Sequence, residues 1–261
     1  MRAPSLGPWR LIGMVHVGPL PGAPHFDGDL DSTLAGALLD ARRLADAGFD
    51  ALMMENFGDA PFFADDVPKV TVAAMTRVAT AIREAVDLPL GINVLRNDAL
   101  AAVAVAAASG ASFIRVNVLA GTMSTDQGPI TGRPAEVARL RAAVHPTLQV
   151  LADVFVKHAV PPPGLTLSQA ARDLWERGGA DGIVASGSGT GHPVDFDRLH
   201  EIRKVVPDAP LFVGSGVDAA TVAELLEICS GVIVGTSVKE AGLTTAPVDP
   251  ERAAALVKAA G

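Results

Sequence analysis

The sequence predicts an α/β protein, a single (β/α)8 barrel over residues 1–261, and three observations favour this fold. Eight apolar segments of strand length alternate with eight helical segments, without a break or a linker. Hydrophobic residues make up 49% of the chain and aromatic residues only 4%, which is typical of aliphatic parallel strands covered by helices. A proline precedes strands three, five and seven, whereas a glycine precedes the even-numbered strands, and such paired units favour closure. An open doubly wound sheet is the alternative.

The first half of the chain supplies four strands and four helices. Each strand is a compact apolar run, and each helix is predicted from its residue pattern. Gly48 and Gly110 follow two of the helices directly, where glycine is favoured because the chain turns left-handed. In order, the elements are predicted at residues 11–17 (strand), 32–47 (helix), 50–56 (strand), 70–86 (helix), 89–95 (strand), 98–108 (helix), 112–118 (strand) and 134–143 (helix).

The second half continues the same alternation. Asp218 opens the seventh helix, which carries apolar residues at 222, 225 and 226. A glycine-containing loop is predicted at 121–132 and a proline-rich loop at 161–163. The elements are predicted at residues 148–156 (strand), 167–177 (helix), 181–186 (strand), 195–206 (helix), 211–216 (strand and glycine turn), 218–227 (helix), 231–237 (strand and glycine turn) and 250–260 (helix).

Composition excludes several classes of partner. The net charge of −8, without a run of Lys or Arg, argues against nucleic acid and against an anionic membrane surface. No segment approaches the roughly 18 apolar residues that a membrane span needs, and the N-terminus has no apolar signal region. Cys229, the only cysteine, excludes an internal disulfide and is predicted to be a buried, inert thiol. We therefore expect a cytoplasmic protein without integral membrane association.

Polar residues at the carboxyl ends of the strands are the candidates for catalysis, because barrel enzymes place their active sites there. Glu55 and Asp153 are predicted to act as acid or base, although a salt bridge to Arg115 is the alternative for these carboxylates. His16 ends the first strand and is either catalytic or a structural histidine. Lys157 is predicted to take an electrophilic role, with a Schiff-base lysine and an anion-binding or ion-paired lysine as alternatives.

A phosphate site is predicted at strands six to eight. Three glycine turns end these consecutive strands, and glycine turns expose backbone N–H groups that suit an anion. The alternative is that these glycines serve only the tight turn between strand and helix. The predicted substrate-binding residues are Asn93, Arg96, Arg115, Asn117, Gly187, Gly189, Gly214, Ser215, Gly216, Gly235, Thr236 and Ser237.

No cofactor is predicted. A divalent metal is an alternative, because His16, Glu55, Asp153 and His158 all stand at strand ends, but their spacing is not a compact ligand motif. The loops at 18–29 and 57–66 are long enough to act as lids. Surface packing or an oligomer contact is the alternative use of these loops, and we expect a homo-oligomer. The aromatic residues for such a contact are Phe57, Phe62 and Phe63.

Several strings of the sequence resemble the BtpA/SgcQ family, named for a photosystem I biogenesis protein. The most specific is Met-Glu-Asn-Phe-Gly-Asp-Ala-Pro-Phe at 54–62, and the match extends over nearly the whole chain. The resemblance implies a TIM-barrel protein. Family members are linked to photosystem I accumulation and peripheral membrane association, whereas others lie among genes of sugar metabolism. The other matching strings lie at 13–24, 91–98, 113–117, 126–128 and 153–158 and in the closing Gly-Ser-Gly and Gly-Thr-Ser turns.

The sequence thus favours an enzyme that acts on a small phosphorylated metabolite, such as a sugar phosphate or a nucleotide-derived compound. Isomerase, lyase and glycosidic-bond cleavage are all compatible with the candidate residues. The alternative is a non-catalytic assembly or stability factor of the photosystem I biogenesis type. Its barrel would bind a regulatory metabolite or nothing, and its first two long loops would bind a protein partner.

Overall fold

Parallel strands that close into a barrel form the centre of the protein. The computed structural model describes residues 6–187 and 195–261. Within these residues the strands are β1 (Leu11–His16), β2 (Ala51–Glu55), β3 (Leu90–Asn93), β4 (Phe113–Val116), β5 (Thr122–Thr125), β6 (Gly128–Thr131), β7 (Gln149–Val154), β8 (Ala159–Val160), β9 (Gly182–Ala185), β10 (Leu211–Val213) and β11 (Gly231–Val234). The barrel order is β1, β2, β3, β4, β7, β9, β10, β11, and pairing of β11 with β1 closes it. The predicted (β/α)8 fold is confirmed, and the open sheet is not formed.

Helices cover the outer face of the barrel. Asp29 caps the first helix by accepting a hydrogen bond from the backbone N–H of Ser32, and Gly48 ends it with a φ of 97°. The seventh helix begins later than predicted, because the Asp218 carboxylate holds the backbone of residues 220 and 221 in a turn. In the described residues the helices are α1 (Leu30–Ala47), α2 (Lys69–Ala85), α3 (Ala99–Ser109), α4 (Pro134–Val144), α5 (Leu167–Arg172), α6 (Phe196–Val205), α7 (Val222–Ile228) and α8 (Pro250–Ala260).

The fifth predicted helix, at 167–177, is regular only in its first part. After α5 the chain continues as a wider π-helical turn over Asp173–Arg177. No helix of the described residues has the length and apolar character to cross a bilayer.

A small antiparallel sheet occupies the segment that was predicted as a loop at 121–132. Strand β5 pairs there with β6 on one side, and on the other side with β8, which lies just before the predicted proline-rich loop at 161–163. The prediction of a loop without strands at 121–132 was therefore wrong. The sheet covers a minor apolar cluster of Val118, Met123, Ile130 and Val156. Its strands are two to four residues long and contain at most one large apolar residue each, which explains why no apolar run indicates them in the sequence.

The barrel interior is a packed aliphatic and aromatic core at its amino-terminal end. Trp9, just before β1, packs against Phe113 with ring centroids 4.6 Å apart. Gly91 makes room for the ring of Phe113, because a Cβ there would lie 2.2 Å from the ring. Cys229 is buried as predicted, and burial raises the pKa of its thiol to about 12. The interior therefore leaves space for polar groups only towards the carboxyl ends of the strands.

A buried ion pair joins α1 to the segment that follows β11. The ammonium of Lys239 donates to Asp40 Oδ2, and the backbone N–H of Val248 donates to Asp40 Oδ1 at 2.7 Å. Burial lowers the pKa of Lys239, although the charge of Asp40 and its hydrogen bond oppose the shift. The pair thus links the first helix of the barrel to its last quarter.

Candidate active site

Three polar side chains stand side by side at the carboxyl ends of the first three strands. The strand register places His16 opposite Glu55, and Glu55 opposite Asn93. The amide of Asn93 donates to Glu55 Oε2 at 2.9 Å, and His16 Nε2 lies 3.7 Å from Glu55 Oε1. The register therefore makes a row in which Glu55 is held from both sides.

His16 is a neutral imidazole at physiological pH. Burial lowers its pKa to about 4, and the nearby charge of Glu55 offsets only part of this effect. Its ring makes an edge contact with Phe57, with centroids 5.0 Å apart. Nδ1 is buried without a hydrogen-bond partner among the described residues. A neutral ring with a free nitrogen can exchange a proton with a bound molecule.

A second group is built on β4 and β7. Arg115 donates from Nε and Nη2 to the two oxygens of Asp153, at 3.1 and 2.9 Å, and Asn117 donates to Asp153 Oδ2 at 3.0 Å. Burial alone would lower the pKa of Arg115, but the charge and hydrogen bonds of Asp153 raise it above its ordinary value. The salt bridge weighed for Glu55 is therefore not formed, since Arg115 pairs with Asp153.

Lys157 is held at the barrel mouth by a constrained segment. Phe155 and His158 on either side of it have positive φ values of 50° and 57°, which non-glycine residues rarely adopt. Arg96 Nη2 donates to the Lys157 carbonyl at 2.5 Å. Burial lowers the pKa of Lys157, although the charge of Glu55 raises it. Within the described residues no hydrogen bond or salt bridge holds its ammonium, which is therefore available to a ligand.

Glycines at the ends of β10 and β11 allow the turns to approach the polar side chains closely. A Cβ on Gly214 would lie 2.9 Å from Arg115 Nη2, and a Cβ on Gly235 would lie 2.7 Å from His16 Cε1. Gly216 has a φ of 71°, a conformation that favours glycine. Gly214 and Gly235 are thus required by their neighbours and Gly216 by the turn, so the structure gives each of these glycines a structural reason.

The same turns present unpaired backbone donors. The hydroxyl of Ser215 accepts a hydrogen bond from the N–H of Gly187 at 2.9 Å, which joins the turns after β9 and β10. Among the described residues, no acceptor is found for the backbone N–H groups of Gly216, Val217, Thr236 and Ser237. Gly189 of the third turn lies outside the described residues.

One cavity of about 250 Å³ is lined both by predicted catalytic residues and by predicted substrate-binding residues. Asn93, Arg96, Asn117, Asp153 and Gly187 do not line it and support it from behind. Six of the lining residues were not predicted for the site. Two of them, Phe57 and Asp218, were noticed in the sequence, but as an aromatic residue in a long loop and as the start of the seventh helix. The lining consists of Met14, His16, Glu55, Phe57, Arg115, Lys157, Gly214, Ser215, Gly216, Val217, Asp218, Ile233, Gly235, Thr236, Ser237 and Gly242.

The four candidate metal ligands do not gather into a metal site. Across residues 6–187 and 195–261, no three His, Cys, Asp or Glu side chains lie close enough together to hold an ion. Asp153 accepts hydrogen bonds from Arg115 and Asn117, and Glu55 accepts one from Asn93.

The closed barrel and the polar cavity at its carboxyl end define a TIM-barrel protein with an enzyme-like fold. The sequence model of the BtpA family matches residues 9–261, and the chain belongs to this family. An uncharacterized protein of Thermococcus kodakarensis is 50% identical over 252 residues, which cover 96% of this chain and 94% of that protein. The family resemblance seen in the sequence is thus confirmed.

The two proteins in the name of the BtpA/SgcQ resemblance are both similar to this chain. The photosystem I biogenesis protein BtpA of Synechocystis is 42% identical over 249 residues, covering 95% of this chain and 87% of that protein. The putative sgc region protein SgcQ of Escherichia coli is 29% identical over 245 residues, covering 93% and 90%.

Solved structures share the fold at low sequence identity. Phosphoribosyl anthranilate isomerase from Thermus thermophilus superposes with a TM-score of 0.59 at 12% identity, covering 96% of this chain and 97% of that one. A native KDPGal structure gives a TM-score of 0.60 at 18% identity, covering 99% and 97%. At such identities the similarity establishes the TIM-barrel fold alone.

Proposed function

We propose that the protein is an enzyme that acts by acid–base chemistry on a small phosphorylated metabolite. One observation carries the proposal: a single cavity has His16, Glu55 and Lys157 in its wall together with the glycine turns after β10 and β11. A reacting carbon and a phosphate group of one small molecule would thus both be contacted. For such a molecule, isomerisation, lyase chemistry and glycosidic cleavage all use acid–base groups at the reacting carbon and a site that holds the phosphate.

The glycine turns are proposed to bind the phosphate. Four backbone N–H groups without an acceptor among the described residues lie in the turns after two adjacent strands, where TIM barrels commonly bind phosphate. Lys157 adds positive charge to the same cavity, whereas the charge of Arg115 there is balanced by Asp153. A dianionic group is therefore favoured over a neutral one at this end.

Glu55 and His16 are proposed to move the proton. The carboxylate is oriented by the amide of Asn93, and the neutral imidazole lies beside it with one nitrogen free. A carboxylate base and a neutral histidine are a suitable pair for removing a proton at one atom and returning it at another. Lys157, whose pKa burial lowers, would stabilise the negative charge that develops between these steps.

Asp153 is proposed as a positioning residue instead of a catalytic acid. Its side chain is buried, accepts hydrogen bonds from Arg115 and Asn117 and does not line the cavity. Its role would be to fix the guanidinium of Arg115 at the cavity wall. Arg96 would act similarly on the backbone of Lys157.

A thermal-shift screen with phosphorylated metabolites tests the proposal. A ligand at about 100 times its Kd stabilises the folded state by about 2.7 kcal/mol, which raises Tm measurably. We then expect Glu55→Gln to abolish turnover of the identified compound while its binding and the unfolding transition are retained. Glu136→Gln, at an exposed position of α4, is the matched control and should keep full activity. Stabilisation by phosphate-free sugars or nucleosides, but by no phosphate ester, would contradict the anion site.

A non-catalytic assembly factor is the second candidate, and the relationship to BtpA of Synechocystis favours it. The surface for a protein partner, or for a second copy of the chain, would include Phe63, which is 56% exposed in the second long loop. An assembly factor should keep its cellular function in Glu55→Gln, whereas the enzyme should lose it. Complementation of a deletion strain with this variant separates the two candidates.

A further inference from the structure

A second cavity adjoins the first and is not used by the chemistry described above. Its volume is about 490 Å³, and it lies between the first long loop, α1 and the segment at 245–247. His16 and Phe57 line both cavities, so these two rings are the common wall. A molecule bound in the first cavity therefore has the second one directly beyond the proposed reacting centre.

The wall of the second cavity is largely apolar. Val17, Pro19, Ala37, Leu39, Phe57 and Pro247 contribute apolar surface. Besides His16, its ionisable side chains are the exposed ring of His25 and the carboxylate of Asp40, which is engaged by Lys239 and by the backbone of Val248. A charged occupant would find no buried, unengaged partner among these described lining residues, which is costly. The wall thus suits an uncharged group with a polar atom or two, for which Ser32 and Thr33 stand at the side.

Gly36 offers a position from which the second cavity can be filled. It lies inside α1, is exposed and lines this cavity, although glycine is an unfavourable residue in a helix interior. Its φ is not positive, and a Cβ there would meet nothing within 4 Å. A larger side chain at this position is therefore compatible with α1 and can occupy space beside the cavity wall.

We infer that the substrate has two parts: a phosphate monoester whose other end is an uncharged, largely apolar ring that occupies the second cavity. The phosphate lies at the glycine turns, the ring lies against α1, and the bond between them passes His16. The unpaired Nδ1 of His16 is then satisfied by the linking portion. The inference rests on the proposed function. It narrows the proposed substrate class from sugar phosphates in general to phosphate monoesters that also carry an uncharged, largely apolar ring, as nucleotides do.

Calorimetric binding of two probes of equal charge tests the inference. We expect benzyl phosphate to bind about tenfold or more tightly than ribose 5-phosphate, because only the former buries an apolar ring. Gly36→Leu and Thr245→Phe fill the second cavity from opposite walls, and each should remove this preference while ribose 5-phosphate binds as before. Gly36→Ala is the control: it adds one methyl group, improves helix propensity and should keep the preference.

The outcomes separate this inference from the proposed function. If both phosphates bind equally well to the wild-type protein, or if the preference survives in both bulky variants, the ring site is wrong while the phosphate site stands. If benzyl alcohol binds as tightly as benzyl phosphate, or neither phosphate binds, the proposed function fails. A change of oligomeric state in the bulky variants, measured by sedimentation velocity, would instead assign the cavity to an interface between copies.

Discussion

At the scale of single residues, burial decides which charges the cavity carries. Neutral His16 lies next to Glu55, whereas the lysine ammonium and the guanidinium of Arg115 face the same space. The positive charge of Arg115 is already balanced by Asp153. Lys157 is thus the cation most available to an anionic ligand among the residues described.

The stability of the protein should depend on pH through His16. Its pKa is about 4 in the folded state and near 6.5 when unfolded, so between these values the unfolded chain binds more protons. Above pH 6.5 the ring is neutral in both states, and the free energy of unfolding has its full value. As the pH falls towards 4, the unfolded chain takes up a proton that the folded protein does not, and the free energy of unfolding falls by roughly 3 kcal/mol. Urea unfolding at pH 7 and pH 4.5 should show a smaller loss for His16→Gln than for the wild type.

The control for this experiment is His200→Gln, at an exposed position of α6. It should lose stability with pH as the wild type does. An equal loss in His16→Gln would show that other groups carry the whole pH dependence.

At the scale of secondary-structure elements, the pair of Asp40 and Lys239 holds the last quarter of the barrel to α1. Both side chains are buried, with 7% and 1% of their surface exposed. A buried charge that loses its partner is strongly unfavourable, whereas removal of both charges is not. The pair also lies beneath the second cavity, so its rigidity shapes that site.

A double-mutant cycle tests this link. We expect Lys239→Met and Asp40→Asn each to lower the free energy of unfolding by about 3–5 kcal/mol. The double variant should lose clearly less than the sum, because it leaves no unpaired charge. Asp31→Asn, which breaks an exposed pair with Arg77, should change stability by less than about 1 kcal/mol. Additive effects of the two buried substitutions would contradict the coupling.

At the scale of the whole molecule, the barrel is closed at its amino-terminal end by Trp9. Its ring belongs to the interior cluster of ten buried residues and rests on Phe113. At the other end, polar side chains and glycine turns of the described residues line the cavity of the proposed site. The packed interior and the proposed chemistry therefore lie at opposite ends of the strands, as is general in TIM barrels.

Trp9→Ala should lower the free energy of unfolding by about 3–5 kcal/mol, because it leaves a cavity among residues that cannot collapse. Trp9→Phe keeps most of the contact and should lose less. Denaturant unfolding followed by circular dichroism measures both. A loss below about 1 kcal/mol in Trp9→Ala would show that the interior is closed without this ring.

The sequence was sufficient for the barrel because its strands are buried on both faces and therefore appear as continuous apolar runs. It was insufficient for β5, β6 and β8, which are short and pack on a small apolar cluster of their own. That the polar residues lie at the carboxyl end of the barrel could also be predicted, because they stand at the strand ends. Which carboxylate pairs with Arg115 could not: the sequence left Glu55 and Asp153 as alternatives, and the strand register and side-chain directions select Asp153.

The rate at which the buried thiol of Cys229 is labelled can report how often the folded protein opens locally. The thiolate is the form that reacts with alkylating reagents, and burial keeps this thiol protonated and shielded in the folded state. Cys229 ends α7 and stands just before β11, so labelling it requires this last strand and helix to separate. Because the sequence has no other cysteine, a new one placed on the rim of the cavity would be labelled selectively. A dye at that position would then report ligand entry against a silent background.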